Sequence, residues 1–232
     1  ACLPSGTNSP RIEVAHHRLN MKPLALAGLL EFASAGHAAI TVYTTPASFM
    51  AATAALATDT FNAEPLGGPN FPHIGTAGPY GYSADASFDG IYFVGSVADV
   101  WLSTTSPAET ITFYDLGGGV QSIGGTFFAT DFDGAVIPGL TMTLSATDTS
   151  GTVTRRLFNS LAGSFMGFVS STALVSMTVD AAAPAFGDSF ATVNDLSLGL
   201  AATAVPEPAS ALLMALGLAA LAWPRRHQSP HG

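Results

Sequence analysis

The feature that most constrains the fold of this 232-residue chain is a series of short runs rich in β-branched and aromatic residues. Turn-forming residues separate the runs at Gly67-Gly68, Gly117-Gly118-Gly119, Asp133-Gly134 and Ser150-Gly151. The pattern predicts nine strands, over residues 40–44, 87–94, 97–103, 110–116, 120–132, 140–148, 152–158, 173–180 and 190–198. Many short strands at such spacing indicate an all-β fold, either an antiparallel β-sandwich or a jelly roll.

One short helix is predicted near the start of this series. Thr45 can cap it, and Pro46 suits a first helical turn, where the missing N–H would have no partner anyway. Phe49, Thr53 and Leu56 follow at helical spacing, so we expect them to share one face of this helix.

Residues 39–204 have the size of one domain and are long enough to bury a core. Residues 40–205 contain 13 Asp and Glu residues, two arginines and no lysine, so the net charge is −11. Nucleic-acid binding depends on clustered Lys and Arg, and this composition excludes it. The single cysteine, Cys2, precedes this segment, so a hydrophobic core must supply the stability, with structural calcium as an open addition.

The last 28 residues combine a Pro-Glu-Pro motif, an apolar run and a basic pair. Pro206 and Pro208 lack backbone donors, so a helix is expected to begin only after them. The apolar run, residues 209–223, would span about 22 Å as a helix, short of the ~30 Å hydrocarbon core of a bilayer. We therefore expect a single hydrophobic helix that anchors marginally, with Arg225 and Arg226 on the cytoplasmic side.

The order of Pro206-Glu207-Pro208, apolar run and Arg225-Arg226 resembles the PEP-CTERM sorting signal of Gram-negative bacteria, also known as an ice-binding-protein C-terminal domain. Residues 205–232 are identified as this signal. The resemblance implies that a membrane protease of the exosortase type recognises the Pro-Glu-Pro site and removes the helix. The protein would then pass from the inner membrane to the cell surface or exopolysaccharide matrix. Residues 60–62, 124–128 and 190–197 are also similar to strands of the jelly-roll ectodomains that accompany such signals.

The N-terminal region has the features of an export signal. Met21 and Lys22 begin a signal peptide over residues 21–38, with an apolar core at residues 24–30. The small residues around His37 predict cleavage after Ala38. Residues 1–20 begin without methionine and show no periodic pattern, so they are interpreted as non-native sequence upstream of the start.

Residues 39–204 offer little that could carry catalysis. The only histidine among them is His73, in a Gly- and Pro-rich stretch, residues 66–82, that is predicted to be a surface loop. No Gly-x-Ser-x-Gly elbow marks a nucleophilic serine beside it. No catalytic or cofactor-binding residue is therefore predicted, and the chain is expected not to be an enzyme.

A strand end just before Gly134 is the candidate calcium site. Asp131 and Asp133 flank Phe132, which places both carboxylates on one side of the strand end, where calcium binds in some β-sandwiches. The remaining acids of a complete calcium loop are missing from the motif. A plain Asp-Gly turn is the competing interpretation.

Four aromatic residues are candidates for stacking on sugar rings: Tyr80, Tyr82, Tyr92 and Trp101. Tyr80 and Tyr82 fall in the predicted loop and are the better placed of the four. Tyr92 and Trp101 fall in predicted strands, where packing in the core is the commoner fate.

Together these features predict an exported cell-surface or exopolysaccharide-matrix protein with a non-enzymatic, structural or adhesive role. The alternatives are a secreted, lectin-like carbohydrate-binding module and a hydrolase. The expected partners are an exosortase-type protease, exopolysaccharide, and the inner membrane through the C-terminal helix before processing.

Overall fold

The computed structural model describes residues 39–70, 72–185 and 187–203, together with Met214, Gly217 and Leu218, which are helical. The predicted upstream segment, the signal peptide with its cleavage site at Ala38, and the rest of the predicted sorting signal lie outside the described residues.

The described residues form a run of strands interrupted by one short helix. In chain order they are β1 (Ile40–Tyr43), α1 (Pro46–Ala51), β2 (Thr53–Asp59), β3 (Gly67–Asn70), β4 (His73–Ala77), β5 (Tyr80–Ala86), β6 (Ile91–Ser96), β7 (Asp99–Thr104), β8 (Ile111–Tyr114), β9 (Ser122–Thr130), β10 (Val136–Ile137), β11 (Met142–Asp148), β12 (Gly151–Leu157), β13 (Phe165–Ser170), β14 (Leu174–Ala181) and β15 (Phe190–Ala201). A 3₁₀ turn at Gly117–Gly119 separates β8 from β9. The all-β prediction with one short helix is confirmed.

The strands form two antiparallel sheets. The first has the order β1-β13-β9-β15-β7-β6-β3, with β10 paired to β9 and β2 paired to β15. The second has the order β12-β11-β14-β8-β5-β4. A bulge between Asn194 and Ser197 divides β15, which pairs with β7 before the bulge and with β2 from Leu196 onwards.

One hydrophobic core lies between the two sheets, as expected for a β-sandwich. The first sheet contributes Ile123, Phe127 and Val193, and the second contributes Phe113 and Met177, all with no exposed surface. Strand β11 shows how the sequence specifies this arrangement, since its burial alternates residue by residue along the strand.

Helix α1 is shorter than predicted. The Thr45 hydroxyl accepts a hydrogen bond of 3.3 Å from the N–H of Ser48, and Pro46 is the first helical residue, which confirms the predicted start. Phe49 is buried, but the helix ends at Ala51, so the prediction that Thr53 and Leu56 share a helical face with Phe49 is wrong. Both residues lie in β2, an extended strand that pairs antiparallel with β15.

The largest error concerns residues 66–82, which are not a loop. They contribute β3, β4 and the start of β5, and the predicted turn at Gly67-Gly68 is part of β3. Strand β3 pairs with β6, and β4 pairs with β5. Strand β13 was also missing from the prediction.

Candidate functional site

A cleft opens on the face of the first sheet that points away from the core. We call it the Tyr92 cleft. Its volume is about 160 Å³, and it is lined by Tyr92, Val94, Ser103, Asp131, Phe132 and Phe190, among others. A wider groove of about 300 Å³ adjoins it, because Tyr92, Val94 and Phe132 line both. The groove continues past Gly95 to Asp133.

Strand register places the cleft residues side by side. Tyr92 of β6 lies opposite Ser103 of β7, and Val94 lies opposite Trp101. Side chains alternate along a strand, so these four share the outer face, while Phe93 and Leu102 point into the core. Tyr92 is 39% exposed, which leaves much of its ring open to a ligand.

Buried hydroxyl groups form a ladder across three strands beneath the aromatic side chains. The hydroxyls of Ser103 and Thr192 share a hydrogen bond of 2.9 Å, and those of Thr192 and Thr130 share one of 3.0 Å. Ser103 also donates to the carbonyl oxygen of Ala191 at 3.3 Å. Thr104 follows Ser103, so its side chain lies on the opposite, core-facing side of β7; it is buried, and its Oγ1 has no hydrogen-bond partner among the described residues.

The other wall is presented by a tight turn between β9 and β10. Oδ1 of Asp131 accepts hydrogen bonds from the N–H groups of Asp133 (3.0 Å) and Ala135 (2.8 Å). Gly134 has a φ of 79°, a conformation that favours glycine, and its N–H donates to the Asp131 carbonyl at 3.1 Å. The turn therefore holds Phe132 outward, 84% exposed, with its ring centre 6.3 Å from that of Phe190.

The two aromatic candidates that the sequence favoured for sugar stacking are buried, and one of the two it ranked lower lines the cleft. Tyr80 and Tyr82 are buried in β5, where their hydroxyls donate to the Ala55 carbonyl (2.9 Å) and to Oδ2 of Asp59 (2.7 Å). Trp101 is half-buried on the outer face and packs edge-on against Phe128 with ring centres 5.0 Å apart.

Of the four candidates, only Tyr92 lines the cleft. The sequence reasoning also missed Phe132 as an aromatic contact. The available signal was an aromatic residue between two aspartates at a glycine turn, where a large apolar side chain cannot reach the core.

His73 is not a surface histidine, as the sequence had predicted. It begins β4, is only 6% exposed, and lies edge-on to Phe93 with ring centres 5.1 Å apart. Burial lowers the pKa of its imidazole, and the nearby carboxylates of Glu64 and Asp59 oppose that shift. For the Tyr82 hydroxyl the effect of burial has the opposite sign: burial and the Asp59 carboxylate both raise its pKa, so the tyrosine is neutral at physiological pH.

The Asp-Gly turn at Asp131 and Asp133 is present, as the competing interpretation predicted. Within residues 39–70, 72–185 and 187–203, no group of three or more His, Cys, Asp or Glu side chains is arranged to hold a metal ion. Structural calcium at this turn stays a prediction.

Residues 204–226 match the family model of the PEP-CTERM protein-sorting motif. The predicted sorting signal is thereby confirmed, and the motif supports an exported protein that an exosortase sorts to the cell surface. No curated protein and no solved structure matches the chain significantly. In the part of the chain that the structure describes, no helix has both the length and the apolar character needed to cross a membrane.

Proposed function

We propose that the chain is a cell-surface or exopolysaccharide-matrix protein with a non-enzymatic, adhesive role. The observation that carries this proposal is the position of the sorting motif relative to the sandwich. Strand β15 ends at Ala201, the Ala202 N–H donates to the Ala52 carbonyl at 2.9 Å, and the motif match begins at residue 204. Every described strand therefore precedes the signal.

This order suits processing by an exosortase-type protease. Cleavage at Pro206-Glu207-Pro208 would remove the apolar run and leave both sheets with all their described strands. Before cleavage, the run at residues 209–223 would hold the protein at the inner membrane, with Arg225 and Arg226 inside. After cleavage, the acidic domain would be free to enter the matrix.

Mass spectrometry of the protein isolated from its host tests the delivery step. We expect a mature N-terminus at Ala39 and a C-terminus at or near the Pro-Glu-Pro site. A Glu207→Ala variant should remain in the membrane fraction with residues 209–223 attached. An intact apolar segment in the mature wild-type protein would instead make it a tail-anchored membrane protein and overturn the matrix assignment.

A hydrolase is the less favoured alternative. His73 is the one histidine of the predicted ectodomain, and it lies packed against Phe93 and Tyr82 instead of facing a substrate. A general base must come within hydrogen-bond reach of the proton it removes, and this burial works against that. Hydrolytic turnover on matrix polysaccharide that disappears in His73→Ala would refute the non-enzymatic role.

A lectin-like activity is the second candidate, and the Tyr92 cleft favours it. The cleft combines exposed aromatic walls with polar groups, which is the general composition of a small-ligand site. A lectin-like module is also a direct way to be adhesive within a polysaccharide matrix. The assignment of the sandwich to the jelly-roll class stays a prediction.

A further inference from the structure

We infer that the Tyr92 cleft binds a neutral pyranose unit of a polysaccharide, with Tyr92 and Phe132 as its stacking walls. This inference rests on the proposed adhesive role and names the ligand class for it. Aromatic rings present an apolar face, and a pyranose presents a face of C–H groups with hydroxyls around its edge. A site for it needs both an open ring and polar groups beside it.

The exposed ring of Phe132 is the first step of the argument. A phenylalanine that is 84% exposed gains little from burial on folding, and two hydrogen bonds to the Asp131 carboxylate order the backbone of the turn that carries it. A ring carried on an ordered backbone loses less conformational entropy when a ligand stacks on it than a ring carried on a mobile loop. Tyr92 lines the same cleft from β6, so the two rings flank one space.

The polar groups of the cleft are the second step. The Ser103 hydroxyl is tied to Thr192 and Ala191, which fixes its orientation. Asp131 lines the same cleft and adds a carboxylate, which can accept hydrogen bonds from sugar hydroxyls.

Charge decides which sugar is accepted. Asp131 lines the cleft and Asp133 lines the adjoining groove, while the ectodomain's two arginines, Arg155 and Arg156, lie on β12 in the other sheet. With a net charge of −11 over residues 40–205, the domain repels uronic-acid and sulfated polymers. A neutral hexose chain meets no such repulsion, and the carboxylates can accept hydrogen bonds from its hydroxyls.

The size of the two spaces sets the number of sugar units. The cleft, at about 160 Å³, is smaller than typical sites for drug-sized ligands. We assign it one ring, with the next ring of the chain in the adjoining groove of about 300 Å³. A ligand of this size held mainly by stacking should bind weakly, with a Kd on the order of millimolar.

Ligand-observed NMR titration of the full chain, kept in a detergent without a sugar headgroup, tests the inference. The probes are maltohexaose, cellohexaose and laminarihexaose, with hexagalacturonate as the acidic comparison and a chitosan hexamer as the cationic one. We expect at least one neutral hexamer to bind saturably and hexagalacturonate not to bind. Tyr92→Ala and Phe132→Ala should each weaken binding about two- to tenfold, the loss of one aromatic contact.

Phe88→Ala is the matched control, because Phe88 is also 84% exposed and does not line the cleft. It should leave the affinity unchanged, and circular dichroism should show that all three variants fold. Absence of binding to any neutral hexamer, equal binding of hexagalacturonate, or preference for chitosan would overturn the inference. So would an equal loss in Phe88→Ala, or self-association that Phe132→Ala abolishes.

The two proposals can fail separately. Phe132→Ala should be processed and delivered like the wild type, since the sorting signal is elsewhere in the chain. Normal mature termini without sugar binding would refute only the cleft. If the full chain binds sugar but the mature protein isolated from its host keeps its apolar tail, only the matrix assignment would be refuted.

Discussion

The substitution Gly167→Ala should destabilise the sandwich because of one specific contact. Gly167 lies in β13, opposite Tyr43 of β1 and Gly124 of β9. A Cβ added there would lie 2.8 Å from Cε2 of Phe49, well inside van der Waals contact. Phe49 is fully buried and its ring centre is 5.5 Å from that of Phe165, so it has little room to move aside.

The expected magnitude is the difference of two effects. Forcing an extra carbon into a packed site costs about 1–3 kcal/mol, and replacing a strand glycine by alanine regains about 0.5–1 kcal/mol. The two ranges leave a net loss of about 0–2.5 kcal/mol, and the central value of about 1 kcal/mol corresponds to roughly 2–4 °C in Tm for a chain of this size. Phe49→Ala alone should cost about 3–5 kcal/mol, because it empties a buried site.

The double variant Phe49→Ala/Gly167→Ala shows whether the Phe49 ring causes the cost or whether β13 tolerates no side chain at position 167. The three atoms nearest the added methyl all belong to the Phe49 ring. In the Phe49→Ala background, Gly167→Ala should therefore cost no stability, and the strand preference for alanine should add up to about 1 kcal/mol. Urea unfolding of the four proteins, followed by circular dichroism, gives the coupling energy. Gly81→Ala is the control, since a Cβ at that strand glycine meets nothing within 4 Å. An equal cost of Gly167→Ala in both backgrounds would refute the reasoning.

Two further predictions concern pH. Burial lowers the pKa of His73 in the folded state, so its contribution to stability is complete above about pH 6.5 and declines as the pH falls below that value. In His73→Phe, the urea midpoint should therefore depend less on pH between pH 5 and 7 than it does in the wild type. Burial alone would raise the pKa of the Asp148 carboxyl, but hydrogen bonds from Ser150, Ser170 and Gly151 outweigh that effect and lower the pKa to about 2, against an ordinary 3.8. The protein should therefore lose stability as the pH falls from 3.8 towards 2. Asp148→Asn should remove most of that acid dependence and cost about 1–3 kcal/mol at pH 7, measured by the same urea curves.

The strands whose positions the sequence predicted well are those with one face in the core and the other towards solvent. In β11, Met142, Leu144 and Ala146 are buried, and the threonines and serine between them are partly exposed. The predicted range, residues 140–148, differs from β11 only at its start. Alternation of this kind follows directly from the geometry of a half-buried strand.

The strands that were missed break that pattern for identifiable reasons. In β4 the pattern is inverted, because Ile74 points outward and His73 inward, and Gly75 is needed where a Cβ would overlap the Tyr82 ring. In β13 nearly every residue is buried, because Phe49 of α1 covers the face that would otherwise meet solvent. Local sequence carries no record of either long-range contact.

The position of the Tyr92 cleft follows from how the outer face of the first sheet is covered. Phe49 covers this face over β13 and β9, where Gly124 and Gly167 leave room for its ring. The described residues place no helix over β6 and β7, yet Ser103 of β7 and Thr192 of the neighbouring β15 are buried beside an exposed Phe132. A single exposed apolar side chain is ordinary on a protein surface, but here Tyr92 and Phe132 line one cleft together with the hydroxyl of Ser103. The proposed sugar site accounts for this combination, because stacking and hydrogen bonding are needed at the same place.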